Sequence, residues 1–216
     1  MIRPLEPELK KGLAELGLTL SEGQIAQLLD YLALIEKWTR VYNLTAVRDP
    51  AAMLTQHLLD SLAVMSPLAS QVADQELAEL RLLDVGSGAG LPGVVLAICR
   101  PDWRVDCVDT VAKKAAFIQQ VAASLKLPNL RGVHARVESL SGPYDVVCSR
   151  AFASLVDFTN WSRGALAQGG LWMALKGKHP LDEIEALPAD VQVFHVEPVV
   201  VPGLQADRCI VWMRPS

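Results

Sequence analysis

The chain has 216 residues, of which 51% are hydrophobic and 20% charged. That is enough apolar material for a sizeable core and excludes disorder as the main state. A net charge of −4 excludes nucleic-acid binding through overall charge and leaves only local basic clusters for it. Apolar runs are broken well short of the roughly 20 residues that cross a bilayer, so no membrane partner is expected.

The N-terminal stretch Met1-Ile2-Arg3-Pro4-Leu5-Glu6 has no basic flank leading into an apolar core, so a cytoplasmic location is expected. Residues 1–80 carry 6 basic and 11 acidic side chains against 14 and 13 in 81–216. The front of the chain reads as helical. Ser21 to Gln24 fits a capping box, followed by Ile25, Leu28, Leu29, Leu32 and Ile35 at helical spacing, which predicts a helix of about 18 residues. Asp49-Pro50 supplies a second N-terminal cap leading through Met53, Leu54, Leu58, Leu59, Leu62 and Met65, with Pro67 expected to end the run.

From residue 81 onward, strand-like runs alternate with amphipathic helices. Strands are expected at 81–85, 104–109, 130–135, 144–149 and 171–175, with helices at 92–99, 111–125 and 154–166. That alternation implies a parallel sheet with helices on both faces. A short helix near 181–187 and two β-rich runs, 191–201 and 208–213, then suggest an antiparallel hairpin at the sheet edge. The expected division is an N-terminal helical lobe, 1–76, packed on a Rossmann-like domain, 77–216. Cys99, Cys107, Cys148 and Cys209 lie in apolar runs without C-x-x-C spacing, and the four histidines show no ligand spacing, so no metal site is expected.

Asp84-Val85-Gly86-Ser87-Gly88-Ala89-Gly90-Leu91-Pro92-Gly93 reads as a strand end, a glycine-rich turn and a helix start, a place where backbone N–H groups meet a nucleotide-like ligand. The same residues satisfy the dinucleotide pattern G-x-G-x-x-G, which alone is weak. Asp84, read as a carboxylate aimed at the site, favours the cationic S-adenosyl-L-methionine over a pyrophosphate. The short remainder of the chain leaves no room for a dehydrogenase's second half. Asp109, 23 residues after Gly86, is placed to accept bonds from ribose hydroxyls.

Residues 43–50 (Asn43 to Pro50), His57-Leu58-Leu59-Asp60-Ser61, Asp84 to Gly93, Lys113-Lys114-Ala115-Ala116-Phe117, Ser149-Arg150-Ala151-Phe152 and Leu175-Lys176-Gly177 together resemble the glucose-inhibited division protein B family. The resemblance runs from about residue 20 to the C-terminus. It implies a class I S-adenosylmethionine-dependent methyltransferase fold. It further implies methyl transfer to N7 of a guanine in 16S ribosomal RNA, with the small ribosomal subunit or an assembly intermediate as partner. Its cofactor contacts fall on Gly86, Leu91, Val137, Glu138 and Arg150, which join Asp84, Gly88, Gly90 and Asp109. Bottom-up, all of these lie at carboxyl ends of parallel strands, where open α/β sheets bind ligands. Glu138 reads equally as a solvated loop carboxylate.

Guanine N7 is unprotonated at neutral pH, so alignment and electrostatics suffice and no general base is expected. Arg150 and Lys176 are the expected positioning groups. Arg150 is open to three readings: a bond to guanine O6 that leaves N7 free, a cofactor contact, or a structural ion pair. Arg136, Lys176 and Lys178 are expected to meet RNA phosphates at one rim, while Lys113 and Lys114 are either part of that rim or a solvated helix face. His57 and Asn43 are either acceptor contacts or satisfied structural groups. Trp38 and Tyr42 either stack on a base or pack the lobe onto the sheet.

Overall fold

The computed structural model describes residues 3–73 and 79–216. The boundary expected at 76/77 falls outside the described residues.

Helix α1 (Glu6–Glu15) takes Pro7 in its first turn, where a missing N–H costs nothing. Helix α2 (Glu22–Tyr42) opens at the expected capping box: Gln24 N donates to Ser21 Oγ at 3.2 Å, and Ser21 N donates to Gln24 Oε1 at 3.0 Å. At 21 residues it outruns the expected length and ends where Asn43 takes a left-handed conformation, φ 50°. The same Gln24 amide donates to the carbonyls of Ile98 and Cys99, both at 3.0 Å, satisfying groups that a helix end leaves free. Ile25, Leu28, Leu29, Leu32 and Ile35 are all buried.

Asp49 caps α3 (Pro50–Met53), its Oδ2 accepting from Ala52 N at 2.8 Å. The run then departs from expectation. It widens into a π-helical turn, Leu54–Leu59, narrows again as α4 (Asp60–Leu62), breaks, and restarts as α5 (Met65–Val72). Pro67 therefore does not end the run. It lies in the first turn of α5, where its missing N–H has no intrahelical acceptor to lose.

The sheet contains β1 (Arg81–Val85), β2 (Arg104–Asp109), β3 (Leu130–His134), β4 (Tyr144–Arg150), β5 (Leu166–Lys176), β6 (Val191–Pro198) and β7 (Cys209–Pro215) in the order β3-β2-β1-β4-β5-β7-β6. The first five run parallel; β7 is antiparallel to both β5 and β6, so the hairpin turns back inside its own outermost strand. Strand β5 starts earlier than expected and shifts register against β4 between Tyr144 and Val146. The connecting helices are α6 (Gly93–Cys99), α7 (Ala112–Leu125), α8 (Leu155–Ser162) and α9 (Leu181–Glu185).

Alternation along β1 sends Leu82 to one sheet face and Leu83 and Val85 to the other. On the first face one continuous apolar cluster joins Leu28, Leu32 and Leu58 of the N-terminal helices to Val94, Phe117 and Ile118 of α6 and α7. On the second, Leu155 and Phe158 of α8 cover Trp172 and Val147. Trp172 is fully buried and donates from Nε1 to Ser162 Oγ at 2.9 Å, which itself donates to Phe158 O. The four cysteines are buried and unpaired.

Helix α7 lies so close over β3 that a Cβ built on Gly132 would stand 2.4 Å from the carbonyl oxygen of Ala115. Backbone cannot yield as a flexible side chain can. Gly132→Ala should therefore destabilise the fold by about 1–3 kcal/mol. Urea denaturation would show this as a lower midpoint at unchanged slope.

Candidate active site

Between β1 and α6 the chain turns through a loop in which Gly86 and Gly90 have φ of +64° and +90°. A Cβ on Gly86 would meet Phe152 Cδ2 at 2.2 Å, and one on Gly90 would meet Val94 Cγ2 at 2.4 Å. The loop is held from three directions. Gly86 N and Ser87 N donate to Val108 O at the end of β2 (2.9 and 3.2 Å). Tyr31 of α2 donates its hydroxyl to Ala89 O (2.7 Å) and Gly90 O (3.3 Å). Gly88 N donates to Asp109 Oδ2 at 3.0 Å, while Asp109 Oδ1 accepts from Val111 N at 2.9 Å.

Two cavities meet at this loop, sharing Gly86 and Ala151. One, of about 530 Å³, is bordered by Asp109, Val111, Arg136, Val137, Glu138 and Trp161. The other, of about 490 Å³, is bordered by Gly88, Leu91, His57, Arg150, Lys176 and Arg208. The wall between them is strained: Ala151 and Ala153 have φ of +54° and +31°, unfavourable for residues with a Cβ, and they flank Phe152, whose ring meets Trp161 edge-on at 5.9 Å.

Gly86, Gly88, Leu91, Asp109, Val137, Glu138 and Arg150 thus border the joined cavities, and Gly90 shapes the loop behind them. Asp84 does not. Strand alternation places it on the same face as Leu82, fully buried, where its Oδ2 accepts from Gly93 N at 2.9 Å and its Oδ1 has no hydrogen-bond partner among the described residues. Burial pushes its carboxyl up to about 7 despite the Gly93 N–H. The expectation of a carboxylate aimed at the ligand is therefore corrected: Asp84 braces the start of α6 from beneath.

Several expected acceptor residues also move. Asn43 borders neither cavity; its Oδ1 accepts from Arg48 Nη2 at 2.6 Å, and its neighbours Leu44 and Thr45 reach the wall instead. Arg136 lies with Val137 and Glu138 in the first cavity, apart from Arg150 and Lys176, so the single basic rim divides in two. Lys178 is exposed and borders neither cavity. His57 is buried, with Nε2 3.0 Å from Thr45 Oγ1 and, among the described residues, no hydrogen-bond partner for Nδ1. Its pKa is lowered by burial and by the Arg150 charge, so it is neutral at pH 7. Lys176 Nζ is already held by Glu183 of α9 at 2.7 and 2.9 Å. Arg150 donates from Nη1 to Gln56 O and Asp60 Oδ2, both at 2.8 Å. Trp38 packs against Phe117 at 5.3 Å, and Lys113 sits over the half-exposed Tyr42 ring at 5.2 Å.

Three residues at the site were not singled out in the sequence, Tyr31, Glu183 and Arg208, and Asp60 was noted there only as a companion of His57. Asp60 carried a faint signal as the i+3 neighbour of His57. Arg208 carried another, since a strand that runs antiparallel to the rest must begin at the rim where the parallel strands end.

A family profile described as "rRNA small subunit methyltransferase G" matches residues 24–211. The chain is 68% identical to the ribosomal RNA small subunit methyltransferase G of Albidiferax ferrireducens, covering 100% of this chain and 99% of that protein. It is 67% identical to the protein of the same name from Acidovorax sp. strain JS42, covering 97% and 95%. Among solved structures, magnesium protoporphyrin IX methyltransferase from Synechocystis PCC 6803 with bound SAH shares the fold at a TM-score of 0.57 and 15% identity, over 91% of this chain and 100% of that one.

Tyr31→Phe leaves two loop carbonyls without their donor, at a cost of about 1–3 kcal/mol. Calorimetric titration with S-adenosylhomocysteine should show weakened binding beyond what the stability loss explains. The folded-state pKa of Asp84, about 7, lies above the ordinary carboxyl value of 3.8, so its stabilising contribution is complete below about 4 and lost as pH rises to 7. Asp84→Asn should remove a pH-dependent loss of about 4 kcal/mol across that window, measured as urea midpoints of both proteins from pH 4 to 8.

Proposed function

The chain belongs to the rRNA small subunit methyltransferase G family, and on that premise we propose how its two joined cavities divide donor from acceptor. The activity is transfer of a methyl group from S-adenosyl-L-methionine to N7 of a guanine in 16S ribosomal RNA. The chain offers the donor a fitting cradle. A glycine loop bars side chains where the backbone must come close, the buried Ser87 Oγ at its wall has no hydrogen-bond partner among the described residues, and a carboxylate stands at the end of β2.

When bound, S-adenosyl-L-methionine supplies an electrophilic methyl group on a sulfonium. In our reading Asp109 accepts from the ribose hydroxyls, Val137 packs the adenine, and backbone groups beside Glu138 read its edge. Gly86 faces both cavities, Gly88 and Leu91 border the second, and Gly90 shapes the loop behind them. The second cavity takes the guanine. Arg150 orients it there through a guanidinium whose position Asp60 sets, and Lys176 acts beside it from its bridge to Glu183. His57, held neutral, adds no charge, and the nucleophile needs no proton removed. Arg136 at the border of the first cavity and Lys178 outside both meet RNA, and Asn43 contributes by fixing the turn that presents Leu44 and Thr45. The substrate is 16S rRNA in the small subunit or its assembly intermediate. Among the described residues no helix is long and apolar enough to cross a membrane, and cytoplasmic action is part of this proposal.

The observation that carries the division is the meeting of the two cavities at Gly86 and Ala151, with the Asp109 carboxylate bordering one and the Arg150 and Arg208 guanidinium groups the other. The test is transfer of labelled methyl to small subunits from cells lacking the enzyme, followed by chemical cleavage at N7-methylguanine. One cleavage site is expected; labelled RNA without cleavage would refute the N7 assignment. In parallel, Asp109→Ala should weaken S-adenosylhomocysteine binding about 10-fold or more, the scale of a lost charged hydrogen bond. Unchanged affinity would remove Asp109 from the cofactor site.

A further inference from the structure

One buried carboxylate serves two arginines that arrive from distant parts of the chain. Asp60 Oδ2 accepts from Arg150 Nη1 at 2.8 Å, and Asp60 Oδ1 accepts from Arg208 Nε at 2.7 Å. The Asp60 side chain is 4% exposed, whereas Arg150 and Arg208 keep 22% and 28%. Both arginines border the same cavity. Among the described residues no hydrogen bond uses Nη2 of either one.

The charges around this cavity do not cancel. One carboxylate against two guanidinium groups leaves a positive charge, the nearby Lys176 is matched by Glu183, and burial keeps His57 neutral. The methyl donor brings a further cationic centre to the adjoining wall. Like charges in a partly desolvated site oppose one another unless an anion enters between them. The carboxylate also fixes the direction of both guanidinium planes, so their unused N–H groups are presented without further loss of side-chain freedom.

We propose that Arg150, Asp60 and Arg208 form a phosphate clamp that captures one backbone phosphate of the substrate RNA next to the acceptor guanine, with Asp60 as the positioning residue. The clamp rests on the ribosomal RNA methyltransferase reading and adds Arg208 and a ligand chemistry to it. The competing anion is the carboxylate of the methyl donor itself.

The two sources separate by experiment. Binding of the full chain to small subunits from cells lacking the enzyme is measured across a salt series, for wild type, Arg208→Gln and Arg208→Lys. In parallel, S-adenosylhomocysteine binding is measured by calorimetry and folding by thermal melting. Loss of one phosphate contact should make the slope of log K against log salt shallower by about 0.7–0.9 in Arg208→Gln. S-adenosylhomocysteine affinity should be unchanged, and Arg208→Lys, which keeps a point charge, should restore the slope. Should Arg208→Gln fail to fold, Arg150→Gln must show the same loss of slope. A slope equal to wild type overturns the clamp, as does weakened S-adenosylhomocysteine binding at an unchanged slope, which assigns the arginine to the donor carboxylate. Wild-type protein that neither binds nor methylates the subunits removes the ribosomal reading as well, an outcome distinct from failure of the clamp alone.

Discussion

A backbone that turns through the left-handed region at Gly86 and Gly90 keeps the end of β1 open, and every other part of the site is arranged around that turn. The conformation is permissive by itself, because glycine loses more freedom on folding than any other residue. It becomes specific through its surroundings. Val108 O takes two of its N–H groups, Asp109 a third, Tyr31 donates to two of its carbonyls, and Phe152 occupies the space a side chain at Gly86 would need. These partners come from β2, α2 and the segment after β4. A loop with little rigidity of its own is thus fixed by three separate parts of the chain, one of which belongs to the N-terminal helices.

Those helices consequently act as more than a cover. Their apolar residues are continuous with the cluster under α6 and α7, and Gln24 closes the last carbonyls of α6 while Tyr31 closes the glycine loop. Two buried aspartates show how neighbours decide the role of one residue type. Asp60 has two guanidinium partners that offset its desolvation. Asp84 accepts from the Gly93 N–H and forms no direct ion pair among the described residues, so burial outweighs that bond and the more distant Arg150 charge, and its neutral form gains ground.

Much of this was readable in the sequence where the signal is local. The capping box at Ser21, the Asp49 cap, the glycine spacing and Asp109 at a strand end all depend on residues close together in the chain, and the structure has them where spacing puts them. Misreadings arose where the answer depends on what lies across space. The direction of Asp84 follows from strand alternation, but only once it is known which face of β1 carries α6. Pro67 signals a boundary, yet proline suits a helix start as well as a helix stop, and the π-helical turn before it leaves no pattern in residue type. Arg208 meets Asp60 across 148 residues. Lys176 read as free for RNA because Glu183, its partner, sits in a helix that composition alone does not bring near.

The four cysteines have a chemical consequence. Burial pushes the Cys99 thiol up to about 12, and Cys107 and Cys148 well above their ordinary value, with Asp84 adding to the effect on both. Cys209 is raised more modestly. Since the thiolate is the nucleophile, alkylating and oxidising agents find almost nothing to react with in the closed protein. Cys107 and Cys148 sit on β2 and β4, on either side of β1, on the sheet face covered by α6, α7 and the N-terminal helices, so their modification requires that cover to lift. The rate at which they are labelled therefore reports separation of the helical layer from the sheet, a built-in clock for that opening.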